Sequence, residues 1–250
     1  MTESAPSRNP LERLQQRIIA CARCPRLVEY REKVAREKRR MYRGEAYWGK
    51  PLPGFGDPEA ALLVVGLAPA AHGGNRTGRM FTGDRSGDFL YRALYESGFA
   101  NQPLSARRGD GLTLCNCYIT AGVRCAPPAN KPTPEEQRNC RPYLMEELTI
   151  LRKLRAVLAL GRIAFDAYLR VVYEERGSGP RIGKVGPHRV QLPRRSSFRF
   201  AHGASFILPD GLPRLYAAYH PSQQNTQTGR LTPEMFRRVL EDIRNFLAEG

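Results

Sequence analysis

The hydrophobic positions of this chain fall into short, fully apolar runs separated by longer amphipathic segments. The clearest run, residues 61–66, reads Ala-Leu-Leu-Val-Val-Gly and leads directly into a loop rich in glycine. Similar runs occupy residues 118–121 and 156–161, and weaker ones occupy 206–208 and 215–219. Strands that are apolar on both faces are typical of parallel sheets covered by helices. The pattern therefore predicts an α/β fold whose first core strand is residues 61–66.

Five amphipathic segments predict helices, which begin near residues 11, 89, 133, 163 and 232. The second is expected to run from Phe89 to Gly98, with Ser86 or Asp88 as its N-cap and Asp84, after Thr-Gly, as an alternative N-cap. The third opens with Thr-Pro-Glu-Glu at residues 133–136, which is a capping box. Strands and helices that alternate in this way predict a parallel sheet with helices on both faces.

Other parts of the chain lack this patterning. Residues 31–40 are charged almost throughout and residues 44–56 are rich in Gly, Pro and aromatics, so a solvated helix and an irregular loop are expected there, with no contribution to the core. Residues 177–199 predict a surface insertion with a short strand around Val190. Residues 1–10 predict a flexible tail before a single domain formed by the rest of the chain.

Composition adds a large core and a strong positive charge to this picture. The chain has 250 residues, 41% of them hydrophobic, which is enough for one globular domain. Its 40 Lys and Arg residues outnumber its 24 Asp and Glu residues, so the net charge is +16. Such an excess favours a polyanionic partner.

No segment has the features of a membrane span or of a secretion signal. The longest nearly apolar stretch, residues 60–71, is about half of the ~20 residues that a bilayer span requires. The N-terminal residues contain neither an apolar region nor a small-residue cleavage signature. We therefore expect a cytoplasmic monomer without membrane contact, whose thiols meet a reducing compartment.

In such a compartment the six cysteines need an explanation other than disulfides. Cys21 and Cys24 form a C-x2-C pair, and Cys125 and Cys140 would complete a set of four thiolate ligands. Zinc ribbons use two close pairs, so an iron–sulfur cluster fits this spacing better than zinc does, although zinc stays open. The alternative is that the thiols are buried as small apolar side chains, which is the preferred interpretation of the other two cysteines.

Two blocks of sequence resemble the motifs of a known enzyme family. Residues 66–84, GLAPAAHGGNRTGRMFTGD, resemble the first motif of the family 5 uracil-DNA glycosylases, and residues 220–231, HPSQQNTQTGRL, resemble that family's histidine-containing motif. The cysteine spacing, C-x2-C and then C-x14-C, is similar to the pattern by which this family and its relative, family 4, hold a [4Fe-4S] cluster. The ligands that the resemblance implies are Cys21, Cys24, Cys125 and Cys140.

The resemblance also implies a fold and an activity. The fold is a single three-layer α/β/α domain with a central four-stranded, mainly parallel sheet and active-site loops at one edge. The activity is hydrolysis of the N-glycosidic bond of a deaminated base in double- or single-stranded DNA, which leaves an abasic site. Because a duplex hides its bases, such an enzyme must turn the nucleotide out of the helix, at a cost of ~a few kcal/mol.

The chemistry of this reaction gives roles to positions in the matched motifs. Glycosidic cleavage places positive charge on the sugar and negative charge on the departing base. His220 is expected to donate a hydrogen bond to the base, and Asp84 to stabilise the sugar cation or orient water. Asn130, in the proline-rich segment PPANKPTP, matches the asparagine that the family uses as a water ligand, so the resemblance implies that it binds this water. Since no lysine occupies a matching motif position, water is the expected nucleophile. The residues expected to contact the base are Gly66, Ala68 and Phe81.

Four further residues are expected to contact DNA outside the flipped base. Arginines suit phosphate contact, and a leucine after a glycine turn could either wedge into the base stack or pack against the final helix. These residues are Arg76, Arg79, Arg230 and Leu231.

The chain departs from family 4 at two motif positions, where Leu67 and Ala121 stand in place of a glutamate and an asparagine. Family 5 also lacks these polar groups. A pocket without a matching amide cannot strongly reject an analogue, so more than one substrate is expected, and the resemblance to family 5 implies hypoxanthine beside uracil. Two alternatives stay open. One is a non-catalytic nucleic-acid-binding protein with a structural four-cysteine metal site, and the other is a strictly uracil-specific enzyme of the family 4 type, which Ala121 argues against.

Overall fold

A computed structural model of the chain describes residues 9–178, 193–209 and 211–249. Most of the predicted tail, residues 1–10, and the strand predicted around Val190 lie outside these ranges. Within them, six strands form one sheet in the order β1-β3-β2-β4-β6-β5. The strands are β1 (Phe55–Gly56), β2 (Leu62–Gly66), β3 (Cys117–Ala121), β4 (Ala156–Leu160), β5 (Ser205–Phe206) and β6 (Arg214–Ala218).

Eight α-helices occur in the same ranges of the chain. None of them is long and apolar enough to cross a membrane. They are α1 (Pro10–Ile19), α2 (Pro25–Glu37), α3 (Gly74–Thr77), α4 (Arg85–Glu96), α5 (Pro134–Ile150), α6 (Arg162–Ser178), α7 (Gln223–Gln227) and α8 (Pro233–Ala248).

The four central strands, β3, β2, β4 and β6, are parallel, which confirms the predicted core of the sheet. The two-residue strands β1 and β5 add antiparallel edges, so the complete sheet has six strands. From β2 the chain first passes to β3 on one side and then returns across the sheet to β4 on the other side. In open α/β sheets ligands bind beyond the carboxyl ends of the strands at such a reversal of direction.

Helices cover both faces of the sheet, as the fully apolar strands predict. In β2, Leu62 and Val64 pack into the layer that contains α4 and α8. Leu63 and Val65 point the other way, into the layer that contains α1, α5 and α6. The predicted three-layer α/β/α architecture is therefore confirmed.

Capping residues determine where the helices begin. The capping box predicted at Thr133 begins α5, and the predicted start of α8 is also confirmed. Helix α4 begins earlier than predicted, at Arg85, because Asp84 is its N-cap. The prediction of Ser86 or Asp88 as the N-cap was wrong because the first turn of this helix is polar and carries no hydrophobic periodicity. The alternative, Asp84, is confirmed.

The N-terminal part of the chain contributes more to the core than its charge predicts. Arg31 and Val34 are buried on one face of α2, and Leu52 in the following loop is fully buried against the sheet. The prediction that residues 31–40 and 44–56 add nothing to the core was therefore wrong. One inward residue per turn is enough to pack a highly charged helix.

Candidate active site

A cleft of about 850 Å³ opens beyond the carboxyl ends of the central strands. The end of β3 and the loops that follow β2, β3 and β6 form much of its wall. This is the location that the topology of the sheet favours for a ligand. Among the residues singled out in the sequence, Phe81, Asp84, Asn130 and His220 line it together.

Phe81 provides an aromatic wall whose position depends on a glycine. Its ring lies against Gly66 at the end of β2, where an added Cβ would come within 2.8 Å of the ring. The ring centroid is 5.8 Å from that of His220, with the two planes inclined by 32°. Phe81 also has a positive φ of 51°, a strained conformation of the kind that clusters at functional sites. Gly66 therefore acts by leaving room for Phe81 and does not itself line the cleft.

The carboxylate of Asp84 is held between a helix and a glycine loop. Oδ1 accepts a hydrogen bond of 2.9 Å from the backbone N–H of Gly87, as the N-cap of α4. Oδ2 lies against Gly73, where an added Cβ would be only 2.2 Å away. Burial raises the pKa of the Asp84 carboxyl. One side chain thus both caps the helix and presents a carboxylate to the cleft.

His220 lies just beyond β6, and a tight turn fixes its backbone. Its carbonyl accepts hydrogen bonds from the N–H of Ser222 at 2.7 Å and from Nδ2 of Asn225 at 2.8 Å. Burial lowers the pKa of the His220 imidazole to about 4. The ring is therefore neutral at pH 7 and carries one N–H that can act as a donor.

Asn130 reaches the cleft from an exposed loop after β3. Asn130 and Ala129 both have left-handed backbone conformations, with φ of 56° and 53°. Such a conformation costs of order 1 kcal/mol or more for a residue other than glycine, so the flanking prolines and the rest of the loop must hold it in place. The exposed amide is accessible to water and can bind it.

The part of the cleft near the strand ends is apolar. Leu67, Ala68 and Ala121 all line it. Ala121 is the last residue of β3 and is 1% exposed, so this strand end presents only a methyl group to the cleft. The predicted contact of Ala68 with a ligand is compatible with its position.

Two arginines of the first motif are built into the protein interior. Arg79 is only 4% exposed and binds Asp110 through two hydrogen bonds of 2.9 and 2.6 Å. Arg76 is also buried and donates to the carbonyls of His72 and Gly83 at 2.8 and 2.9 Å. Both guanidinium groups are committed to partners within the chain. The structure therefore does not support the predicted phosphate contacts of Arg76 and Arg79, and both residues brace the loop instead.

The second motif places its last two residues differently from each other. Arg230 is exposed, with its guanidinium 4.7 Å from the centroid of the Tyr219 ring, so it can still contact phosphate. Leu231 is 1% exposed and belongs to the core layer that contains α8. A buried leucine cannot enter a base stack, so the structure supports the packing alternative for Leu231.

The four cysteines expected to bind a cluster line one small cavity. They approach it from the turn between α1 and α2, the segment after β3, and α5. Arg31 donates to Sγ of Cys125 at 3.2 Å, and Asn139 donates to Sγ of Cys24 at 3.5 Å. Among the described residues no three Cys, His, Asp or Glu side chains are grouped closely enough to hold a single metal ion. The cavity is lined by Cys21, Cys24, Cys125 and Cys140.

The sequence of this chain matches a known superfamily of proteins. The family model of the Uracil DNA glycosylase superfamily matches residues 53–244. The chain belongs to this superfamily. Among its relatives, the type-5 uracil-DNA glycosylase of Thermus thermophilus is 51% identical over 93% of this chain and 96% of its own length. That of Mycobacterium leprae is 47% identical over 92% of this chain and 93% of its own length.

A type-4 relative in the superfamily is more distant. The type-4 uracil-DNA glycosylase of Pyrobaculum aerophilum is 32% identical over 70% of this chain, whereas the type-5 enzyme of the same organism is 46% identical over 90% of it. These comparisons confirm the resemblance to family 5 and do not favour the family 4 alternative.

Sequence reasoning missed one wall of the cleft in this superfamily member. Residues of α2 and of the turn after it line the cleft although they belong to no recognised motif, and they include Tyr30, Arg39, Met41 and Tyr42. The signal available in the sequence was the presence of aromatic residues and a methionine within a strongly basic segment. Such a pattern is compatible with a nucleic-acid contact.

Proposed function

We propose that this chain is a DNA-repair glycosylase that hydrolyses the N-glycosidic bond of uracil, and of other deaminated bases such as hypoxanthine, in DNA. The observation that carries the proposal is that Asp84, Asn130 and His220 reach one cleft from three separate loops, beside the ring of Phe81. The names of the type-5 relatives support uracil as a substrate. The net charge of +16 supports a DNA partner.

The aromatic wall and the imidazole act on the base. An everted base stacks on Phe81, a contact worth ~1–3 kcal/mol that every base can make. As the glycosidic bond breaks, its electron pair moves to the base, and negative charge develops on the base carbonyl. The neutral ring of His220 donates its N–H to that oxygen, which contributes about 10²–10³-fold to the rate by analogy with other single donors to an oxyanion.

The carboxylate and the amide act on the sugar and on water. Asp84 stabilises the cationic sugar by its charge, and Asn130 holds a water molecule for attack on the anomeric carbon. Burial raises the pKa of Asp84, so its carboxylate is a better acceptor for the proton that the water releases than an exposed carboxylate is. The products are the free base, which takes up a proton, and an abasic site. No covalent intermediate with the protein is involved.

The apolar strand ends support the proposal that more than one base is accepted. Ala121 and its neighbours Leu67 and Ala68 exclude water but offer no amide to the edge of the base. A site that lacks a matching polar pair discriminates weakly between similar ligands. We therefore propose hypoxanthine as a second substrate. The variant Ala121→Asn, which carries an amide at this strand end, should release hypoxanthine more slowly than the wild type.

The four-cysteine cavity is proposed to hold a [4Fe-4S] cluster. Four thiols are the donor set of such a cluster, and the N–H groups of Arg31 and Asn139 already face two of the sulfurs. A bound cluster would supply a covalent link between the turn at Cys21 and Cys24, the segment after β3 and helix α5. Purified protein should be brown and contain iron, and colourless protein with stoichiometric zinc would contradict this assignment.

The activity is tested by incubating the protein with duplex and single-stranded oligonucleotides that contain uracil or hypoxanthine, followed by alkali. Strand breaks at the modified position are expected because alkali cleaves abasic sites. Intact strands in every case would contradict the proposal and would favour a protein that binds nucleic acid without catalysis.

We further propose that the protein acts as a monomer in the cytoplasm.

A further inference from the structure

A methionine at the rim of the cleft is unusually exposed. Met41 is 72% exposed and lines the cleft. The described residues include five exposed large hydrophobic side chains, and Met41 is the one among them that lines this cleft. A large apolar side chain that is exposed to water at the rim of a cleft is available for contact with a ligand.

Positive charge flanks this methionine. Met41 is the middle residue of a short 3₁₀ turn, residues 40–42, and is preceded by Arg39 and Arg40. Both arginines are exposed, and with Met41 they line a shallow hollow beside the cleft. The rim therefore combines one apolar side chain with two cations, which is the composition expected where a protein meets stacked bases and their phosphates.

The turn that carries Met41 is fixed to the loop that carries Asp84. The centroid of the Tyr42 ring lies 3.9 Å from the guanidinium carbon of Arg76, and Glu45 forms an ion pair with the same guanidinium. Arg76 in turn donates to the carbonyl of Gly83, next to Asp84. These contacts fix the turn that carries Met41 relative to the carboxylate of Asp84.

We infer that Met41 enters the base stack in place of the everted nucleotide, while Arg39 and Arg40 hold the adjoining phosphates. This inference builds on the proposed function, because an enzyme that everts a base leaves a gap in the duplex. Apolar wedges fill such gaps and offset the loss of stacking. Methionine is unbranched and polarisable, so it adapts to either neighbouring base pair. Leu231 is buried and cannot serve this purpose.

The test compares the single-turnover rate of uracil release by Met41→Ala on duplex and on single-stranded oligonucleotides. We expect a loss of about tenfold or more on the duplex and less than about twofold on the single strand, where no stack has to be opened. Met41→Leu should restore most of the duplex rate. Ile207→Ala is the matched control, because Ile207 is 80% exposed but does not line the cleft, and it should leave both rates unchanged.

A fluorescent base next to the uracil gives a second measurement that does not depend on bond cleavage. 2-Aminopurine brightens when its neighbour is everted, so Met41→Ala should show a smaller increase than the wild type on the duplex. Equal losses of rate on duplex and single strand, or no loss on either, would overturn the proposed role of Met41 but not the proposed function. A wild-type protein that releases no base from either substrate would instead overturn the proposed function itself.

Discussion

The two pairs of arginines around the cleft have opposite environments. Arg76 and Arg79 belong to the motif that identifies the family, yet both are buried and bonded within the chain. Arg39 and Arg40 belong to no motif, yet both are exposed at the rim. The motif's own arginines therefore hold in place the loop that carries Asp84, whereas the exposed arginines of the rim are available to a ligand.

The buried pair shows how the loop is stabilised. Burial alone would raise the pKa of the Asp110 carboxyl, but hydrogen bonds from Arg79 and from three backbone N–H groups lower that pKa far below its usual range. A carboxyl with a depressed pKa contributes stability above its unfolded-state pKa of about 3.9, and this contribution is lost as the pH falls below that value.

The largest expected effect is on the catalytic rate, when the negative charge of Asp84 is removed. Asp84→Asn should lower the single-turnover rate by about 10²–10⁴-fold, because the amide neither stabilises the cationic sugar nor accepts a proton. Asparagine is as good an N-cap as aspartate, so helix α4 should persist. Burial raises the pKa of Asp84, so its ionised form opposes folding at pH 7, and the variant should be at least as stable as the wild type there. A variant that loses activity because it unfolds would contradict this role of Asp84.

The next change is in stability, when the buried ion pair is broken. Arg79→Ala should lower the free energy of unfolding by about 1.5–3 kcal/mol, because it removes the charge-assisted hydrogen bonds to Asp110, a partly buried carboxylate that keeps its bonds from three backbone N–H groups. Urea denaturation measures this, and the difference from the wild type should shrink at pH 3, where Asp110 becomes protonated in the unfolded chain. Arg79→Lys should not restore stability, because a lysine cannot form the paired hydrogen bonds.

The matched control for the buried pair is the exposed pair. Arg39→Ala combined with Arg40→Ala should change the free energy of unfolding by less than about 0.5 kcal/mol each. The double variant should reduce the slope of log K against log salt concentration by about 0.9 for each phosphate that these arginines neutralise, equally for DNA with and without uracil. An unchanged slope would place the phosphate-binding residues elsewhere, with Arg230 as the next candidate.

The weakest change is in the dependence of the rate on pH. Burial lowers the pKa of His220 to about 4, so the imidazole stays neutral throughout the range above pH 5. As the pH falls, the rate should decline as Asp84 becomes protonated, at a pH above that of an ordinary aspartate because burial raises its pKa. In Asp84→Asn the residual rate should stay level down to about pH 5. A fall of the residual rate near pH 6.5 would show that His220 titrates like an exposed histidine.

Local patterns in the sequence predict most of the fold. The parallel strands are apolar on both faces because both faces are buried, and the capping box at Thr133 is a local signal. The resemblance to family 5 brought Asp84, Asn130 and His220 together, although they are far apart in the chain. Polar contacts between distant segments could not be predicted. For example, the buried Arg79 donates its hydrogen bonds to Asp110, which is 31 positions away in the sequence.

The same limit applies to exposure. Nothing in the second motif distinguishes a wedge from a core residue at Leu231, because its burial depends on packing against the layer of α8. Conversely, Met41 stands in a charged segment without hydrophobic periodicity, and only the folded arrangement brings it to the cleft. Side-chain roles that depend on which surface faces the ligand require the three-dimensional structure.

The proposed mechanism requires that one base, turned out of the helix, lies on Phe81 between the carboxylate of Asp84 and the imidazole of His220. A crystal structure of Asp84→Asn bound to a duplex that contains uracil would show this arrangement, because slow turnover preserves the substrate. We expect the uracil ring stacked on Phe81 with a carbonyl oxygen within hydrogen-bond distance of His220. A uracil that stays paired in the duplex, or that occupies another hollow while this cleft is empty, would contradict the mechanism.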